Sequence, residues 1–292
     1  MLNGALTATM QSYLTAFQND ATQFTQWGQW IFCSLLTINI VWFWLWLAFQ
    51  KGEFDENLAV FLRKFFITLI FYTLMMQHQW LLSMLESVQS MGQTLTHSPT
   101  DPSSIVSDGI ALANMVLAPV KSFNIFKITF GAIIILVVYL VIIFVFISIA
   151  LRLTLTIIET TALITLSSFF LSFAALSATS KIANNMLEAI LANCVKLLGI
   201  YLVVGTGIHV IVGLANQLPL EETSFDDYWW LLSAVLLFWM LSKELPDQLT
   251  RIVGFAVSSE GNHTSATVLS MTAVQHAKTP VNFVKSLIKP GR

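Results

Sequence analysis

A chain of 292 residues with 56% hydrophobic and 10% charged side chains cannot clothe itself for water, because a soluble surface draws on about 25% charged residues. Lipid has to cover part of it, which excludes an ordinary soluble domain and implies a polytopic membrane protein. A net charge of −2 gives no electrostatic footprint for nucleic acid, and two cysteines, Cys33 and Cys194, both in apolar runs, argue against a disulfide framework or a zinc site.

The first 19 residues carry no charge, so the basic start of a signal peptide is missing. Residues 1–26 read as an N-terminal periplasmic segment. Trp27 to Phe49 reads as a retained membrane helix. Tryptophans mark both its ends, as the headgroup region favours. Its one deep polar residue, Asn39, suits a hydrogen bond between helices. After the charged loop Lys51 to Asn57, residues 65–85 form a second apolar segment, weakened by Gln77, His78 and Gln79.

Residues 86–127 form the longest polar stretch between apolar segments and are expected to be periplasmic. Asp101-Pro102 is a helix start, with Asp as cap and Pro at the first helical position. Ile105, Ile110, Ala113, Val116 and Val120 then recur at helical spacing. They make an amphipathic helix whose apolar stripe needs a membrane or a partner to cover it.

Between Lys127 and Lys181 the only charges are Arg152 and Glu159. Two segments are expected here, 128–151 and 153–176. In the second, Thr154, Thr161, Thr165, Ser168, Ser172 and Thr179 recur every three, four or seven residues and so share one helix face. Lipid offers hydroxyls no partner, so that face meets another helix or a wet lumen. Glu159 stands two turns from Arg152 on about the same face. It is either half of a structural ion pair or part of a pathway. Residues 189–215 make a further segment, with Gly199, Gly205, Gly207 and Gly213 on its close-packing faces. Residues 228–241 make the last one, and 257–292 read as a flexible, cytoplasmic tail.

These readings define an all-α fold: five or six membrane segments within 27–256, an amphipathic periplasmic helix and a C-terminal tail. The first 50 residues hold no Lys or Arg. The C-terminal part holds Lys243, Arg251, Lys278, Lys285, Lys289 and Arg292, and residues 216–227 hold four acids and no base. The excess of positive charge on cytoplasmic loops then predicts an outside N-terminus and an inside C-terminus. That requires an odd number of crossings. Six apolar segments conflict with it, unless two act as one or one does not cross.

Catalytic chemistry has no signature here. There is no phosphate loop, nucleophile elbow or paired His-Glu zinc motif, and the five histidines are scattered. His209 is expected to be packed and neutral. No catalytic residue, metal ligand or cofactor is assigned. A stand-alone transporter or ion channel, with Glu159, Thr161, Thr165, Ser168 and Ser172 along its path, is the competing class.

Three stretches resemble the TrbL-type family of polytopic inner-membrane proteins from bacterial type IV secretion and conjugation systems. Ser98 to Ala113, SPTDPSSIVSDGIALA, is similar to the family's SPSD element, which opens a helix after the second membrane segment. Leu171 to Thr179, LSFAALSAT, with Val195-Lys196-Leu197 further on, resembles the family's LGFGGSRWT followed by VKLF. Leu245-Pro246 through Gly254 is similar to a P…G pair after the last membrane segment. The chain departs from the pattern where Ala174-Ala175 replace the glycine pair and Ser177-Ala178 replace Arg-Trp. The resemblance spans roughly residues 25 to 258. It implies a component at the base of a secretion channel in the inner membrane, assembled as a homo-oligomeric ring. It further implies contacts with pilus-tip and pilin subunits and a part in pilus assembly and substrate passage. Membrane lipid is the other expected partner, and direct sequence-specific binding of nucleic acid is not expected.

Overall fold

The structure is a computed structural model that describes residues 4–49, 54–96, 101–117, 130–216 and 225–259. Among these residues it is all-helical. The helices are α1 (Ala5–Phe49), α2 (Phe54–Met76), α3 (His78–Thr96), α4 (Pro102–Leu117), α5 (Phe130–Leu171), α6 (Ser180–Asn216) and α7 (Phe225–Ser259), with a 3-10 turn at Ser172–Ala175 between α5 and α6. Among the described residues, four helical stretches are long and apolar enough to cross a membrane: Ala5–Phe49, Leu58–Met76, Ile135–Ala175 and Ser180–Ala215.

Several segments read separately in the sequence are joined. Residues 1–26 and 27–49 share one helix, unbroken from Ala5 to Phe49. Segments 128–151 and 153–176 are also one helix, α5, described from Phe130 onward. Arg152 does not end it, because its guanidinium finds Asp247 on α7. In contrast, 65–85 is split at Gln77, where a turn ends α2 and starts α3. The Gln77 amide donates to the Thr73 carbonyl and the Trp80 amide donates to the Gln77 carbonyl, at 3.0 and 2.9 Å. The polar Gln-His-Gln run at this point leaves no apolar face to carry one straight span. The last segment continues through Pro246 to Ser259, well beyond 228–241. The acidic loop residues 217–224 and tail residues 260–292 lie outside the described residues.

At 1.5 Å per residue, α1 and α5 are each roughly 65 Å long, about twice a bilayer's ~30 Å hydrocarbon core. Apolar residues lie all round α5, with no single polar side along its whole length, which marks a central or lipid-bathed helix. One of its faces is buried at seven-residue steps, Ile135, Ile142 and Ile149, then Ile157, Ile164 and Leu171. Most of these meet side chains of α3, α4, α6 and α7 in the main core.

Side-chain contacts fix how the helices run. α1 and α2 are antiparallel, since Phe32 meets Tyr72 and Phe43 stacks on Phe61, with centroids 5.0 and 4.0 Å apart. α5 and α7 are parallel, because Phe146 meets Phe238 and Arg152 meets Asp247. α6 runs against α7: Gly207 faces Phe238 and Gly199 faces Pro246, and the missing side chains make the close approach. Gly213, expected at a packed face, has open space beside it instead.

The exposed apolar surface forms two belts. One lies on the second half of α1 and on α2, including Trp42, Phe49, Phe66 and Ile70. The other lies on the first half of α5, the second half of α6 and the first half of α7, including Leu140, Phe144, Val210 and Leu237. α1 reaches α5 near Ser168, whereas α7 meets it at Phe146. The belts therefore sit towards opposite ends of α5.

Candidate functional site

Between the belts lies a polar tier. On its surface, Arg152 Nη2 is 2.9 Å from Asp247 Oδ1, and Lys196 Nζ is 3.6 Å from Glu159 Oε2. Arg152 and Glu159 thus do not pair with each other along α5; each finds its partner on a neighbouring helix. The Glu159 side chain is 60% exposed on the outer surface of the bundle. The two pairs lie about two turns apart along α5, and Gly199 of α6, facing Pro246 of α7, brings the Lys196 and Asp247 turns close together.

Inside the tier, the hydroxyl face of α5 is buried. Thr154, Thr161, Thr165, Ser168 and Ser172 are all 7% exposed or less, as are Thr156, Thr160 and Ser167 beside them. Most of these hydroxyls donate to their own helix. Thr154 reaches the Ala150 carbonyl at 2.8 Å, Thr161 the Ile157 carbonyl at 3.0 Å and Ser172 the Phe169 carbonyl at 2.6 Å. Such back-bonding satisfies a hydroxyl without water and leaves its methyl or methylene to pack.

Ser168 differs, because it joins three helices. Its hydroxyl lies 3.4 Å from the Met75 carbonyl at the end of α2 and 3.2 Å from the Thr25 hydroxyl on α1. Gly28 stands directly opposite. A Cβ there would overlap the Ser168 carbonyl oxygen, so α1 can come this close only with glycine at that position. Nothing in the sequence marks Gly28, since one glycine between Trp27 and Gln29 has no spacing partner to reveal it. Eleven residues further along α1, about three turns, Asn39 Nδ2 donates to the Ala175 carbonyl at 2.8 Å. This is the helix-to-helix bond expected of it, and it holds the 3-10 turn against α1. Thr179 closes the same turn by donating to the Phe173 carbonyl at 2.7 Å.

α4 begins at Pro102 as expected. The Ser104 amide, 2.9 Å from the Asp101 carbonyl, makes the first turn. Ile105, Ala113 and Val116 are buried in the main core rather than presented outward. Gly109 lets the α4 backbone rest on the Phe146 ring of α5. The outward face of α4 is Ile110, Ala111, Asn114 and Met115. Val120 lies outside the described residues. Burial raises the Asp108 carboxyl above its ordinary value of 3.8. The first turn of α4 also holds α1: the Thr7 amide donates to Ser103 Oγ at 3.2 Å and their hydroxyls are 2.7 Å apart.

One further expectation meets a different outcome. His209 is exposed on α6 rather than packed, because it falls on the side of the helix away from α7. Both cysteines are free, Cys33 exposed and Cys194 buried. Among the described residues no cluster of His, Cys, Asp and Glu could hold a metal ion.

Long apolar helices with a satisfied polar interior define the class: a polytopic helical membrane protein. A family model described as TrbL/VirB6 plasmid conjugal transfer protein matches residues 36–245, from the middle of α1 to α7. The chain belongs to this family, whose members are components of conjugal transfer, or type IV secretion, systems. A search of curated proteins found no match.

Proposed function

We propose that the chain is an inner-membrane subunit at the base of a type IV secretion channel, where it supports pilus biogenesis and substrate passage. The family match across 36–245 carries this reading. The chain acts as a structural part and not as a catalyst. It assembles with copies of itself into a ring and contacts pilus-tip and pilin subunits on the periplasmic side, using the outward face of α4.

The N-terminus lies in the periplasm and the C-terminus in the cytoplasm. The distribution of Lys and Arg supports this. The fusion of two apolar segments into α5 removes one of the six; α1, α2, α5 and α6 are long and apolar enough to cross, and an odd number of crossings requires α7 as the fifth. The contact of Thr7 with Ser103 agrees with a periplasmic location for both the start of α1 and α4.

Burial of the hydroxyl face favours helix packing over a pathway through a single chain, so any conduit lies between subunits. Purification of the tagged full chain from membranes in mild detergent, followed by native mass spectrometry and electron microscopy, tests this. A ring-shaped homo-oligomer is expected. A monodisperse monomer would instead support a stand-alone transporter.

A further inference from the structure

The belt formed by α1 and α2 contains a cleft of about 250 Å³. Phe43, Phe61, Phe65 and Trp46 form its apolar walls, and Lys64, with Ser177 from the turn before α6, adds polar groups. Phe43 and Phe61 are stacked, so the wall is built and not a chance gap between mobile side chains. Asn39 and Thr68 also line the cleft, but both are engaged: Asn39 donates to the Ala175 carbonyl and Thr68 to the Lys64 carbonyl.

Lys64 is the unusual member. It lies inside the apolar stretch Leu58–Met76, almost two turns from its start. No carboxylate among the described residues is within ion-pair distance of it. A lysine at such a position costs free energy unless its charge is answered or reaches the headgroups. Trp42 and Trp46 flank the cleft and are 70% and 43% exposed, the arrangement tryptophan takes at the headgroup level.

We propose that this cleft binds an anionic phospholipid of the phosphatidylglycerol class. Its phosphate sits at the Lys64 ammonium and the Ser177 hydroxyl, and one acyl chain lies along Phe43, Phe61 and Trp46. The volume agrees with this occupant. It falls just below the ~300–1,000 Å³ of pockets that enclose a whole small molecule, so it takes a headgroup and the upper part of one chain while the rest stays in the bilayer. Basic clefts between membrane helices recognise anionic headgroups by this chemistry. The site does not depend on the secretion role and would stand if that role failed.

The test is native mass spectrometry of the full-length protein in detergent, titrated with phosphatidylglycerol, phosphatidylethanolamine or glycerol 3-phosphate. Phosphatidylglycerol should bind at least about fivefold more tightly than phosphatidylethanolamine, and Lys64→Gln should lose about that factor, the contribution of one lysine to an anionic lipid. Arg63→Gln, next to Lys64 but outside the cleft, should bind as the parent does. Ile40→Trp, which fills the cleft and keeps the lysine, should also abolish binding, and it tests the site independently if Lys64→Gln fails to fold. Equal binding of the two lipids, or undiminished binding by Lys64→Gln or Ile40→Trp, would overturn the proposal. Full displacement of phosphatidylglycerol by glycerol 3-phosphate would overturn it too, by showing a soluble-anion site.

Discussion

Ser168 and Gly28 form a close contact between α1 and α5, and its chemistry makes their variants predictable. Ser168→Ala removes a hydroxyl whose two contacts are long, 3.2 and 3.4 Å. Hydrogen bonds between membrane helices average about 0.6 kcal/mol, so this variant should keep nearly normal folding and function. Gly28→Leu puts a branched side chain where even a Cβ would overlap α5, and Ser168→Leu enlarges a side chain that is already 1% exposed between the helices. Overpacking of this kind typically costs about 1–3 kcal/mol. Both should lower the thermal midpoint in detergent and reduce the amount of folded protein in membranes. A stable, fully assembled Ser168→Leu protein that no longer supports transfer would move this face from packing to the path.

Asp108 adds a pH dependence. Burial raises its carboxyl above 3.8, so the folded protein holds this proton more tightly than the unfolded chain does. The ionised form therefore costs stability at neutral pH, and that cost is relieved as pH falls through the raised value towards 3.8. Asp108→Asn should be at least as stable as the parent at pH 7. The parent should gain on it as the pH is lowered, which paired melting curves from pH 7 to 4 would record. A parent that loses ground to the variant on acidification would contradict the assignment.

At the scale of the helix, α4 shows what periodicity can and cannot tell. Its start at Asp101-Pro102 and its apolar stripe were both legible, because caps and spacing are local properties. What covers the stripe was not: Ile105, Ala113 and Val116 rest on the chain's own core, and only the fold brings α5 there. The outward face is accordingly Ile110, Ala111, Asn114 and Met115. Cysteine at Asn114 should react with a membrane-impermeant thiol reagent added to the periplasm when other subunits are missing. Cysteine at Ala113, fully buried, should not. Equal labelling of both positions would show that α4 is not packed on α5. The same limit explains the ion pairs. Arg152 and Glu159 stand seven apart and look like a pair in sequence, yet Asp247 and Lys196 come closer once α6 and α7 are in place. Continuity was also hidden, since a lone arginine in an apolar run looks like a boundary until its partner is known.

For the molecule as a whole, the membrane class followed from composition, and the order of the apolar segments from hydropathy. Their vertical arrangement did not, because it depends on which turns meet. Gly28 joins α5 about 22 residues beyond Phe146, the residue that meets α7, or about 33 Å along one helix. A single ~30 Å hydrocarbon core cannot cover both belts if α1 and α5 stand upright. One belt then needs a leaning α1–α2 hairpin or a covering of neighbouring subunits, which fits a part built for assembly better than a self-contained transporter.

The proposed role makes this chain a required membrane subunit of a transfer machine. Deletion of its gene in the host, followed by measurement of conjugal transfer frequency and surface pili, tests that most directly. Both are expected to fall by orders of magnitude; the parent chain and Ser168→Ala should restore them, whereas Gly28→Leu should not. Undiminished transfer and normal pili in the deletion strain would contradict it.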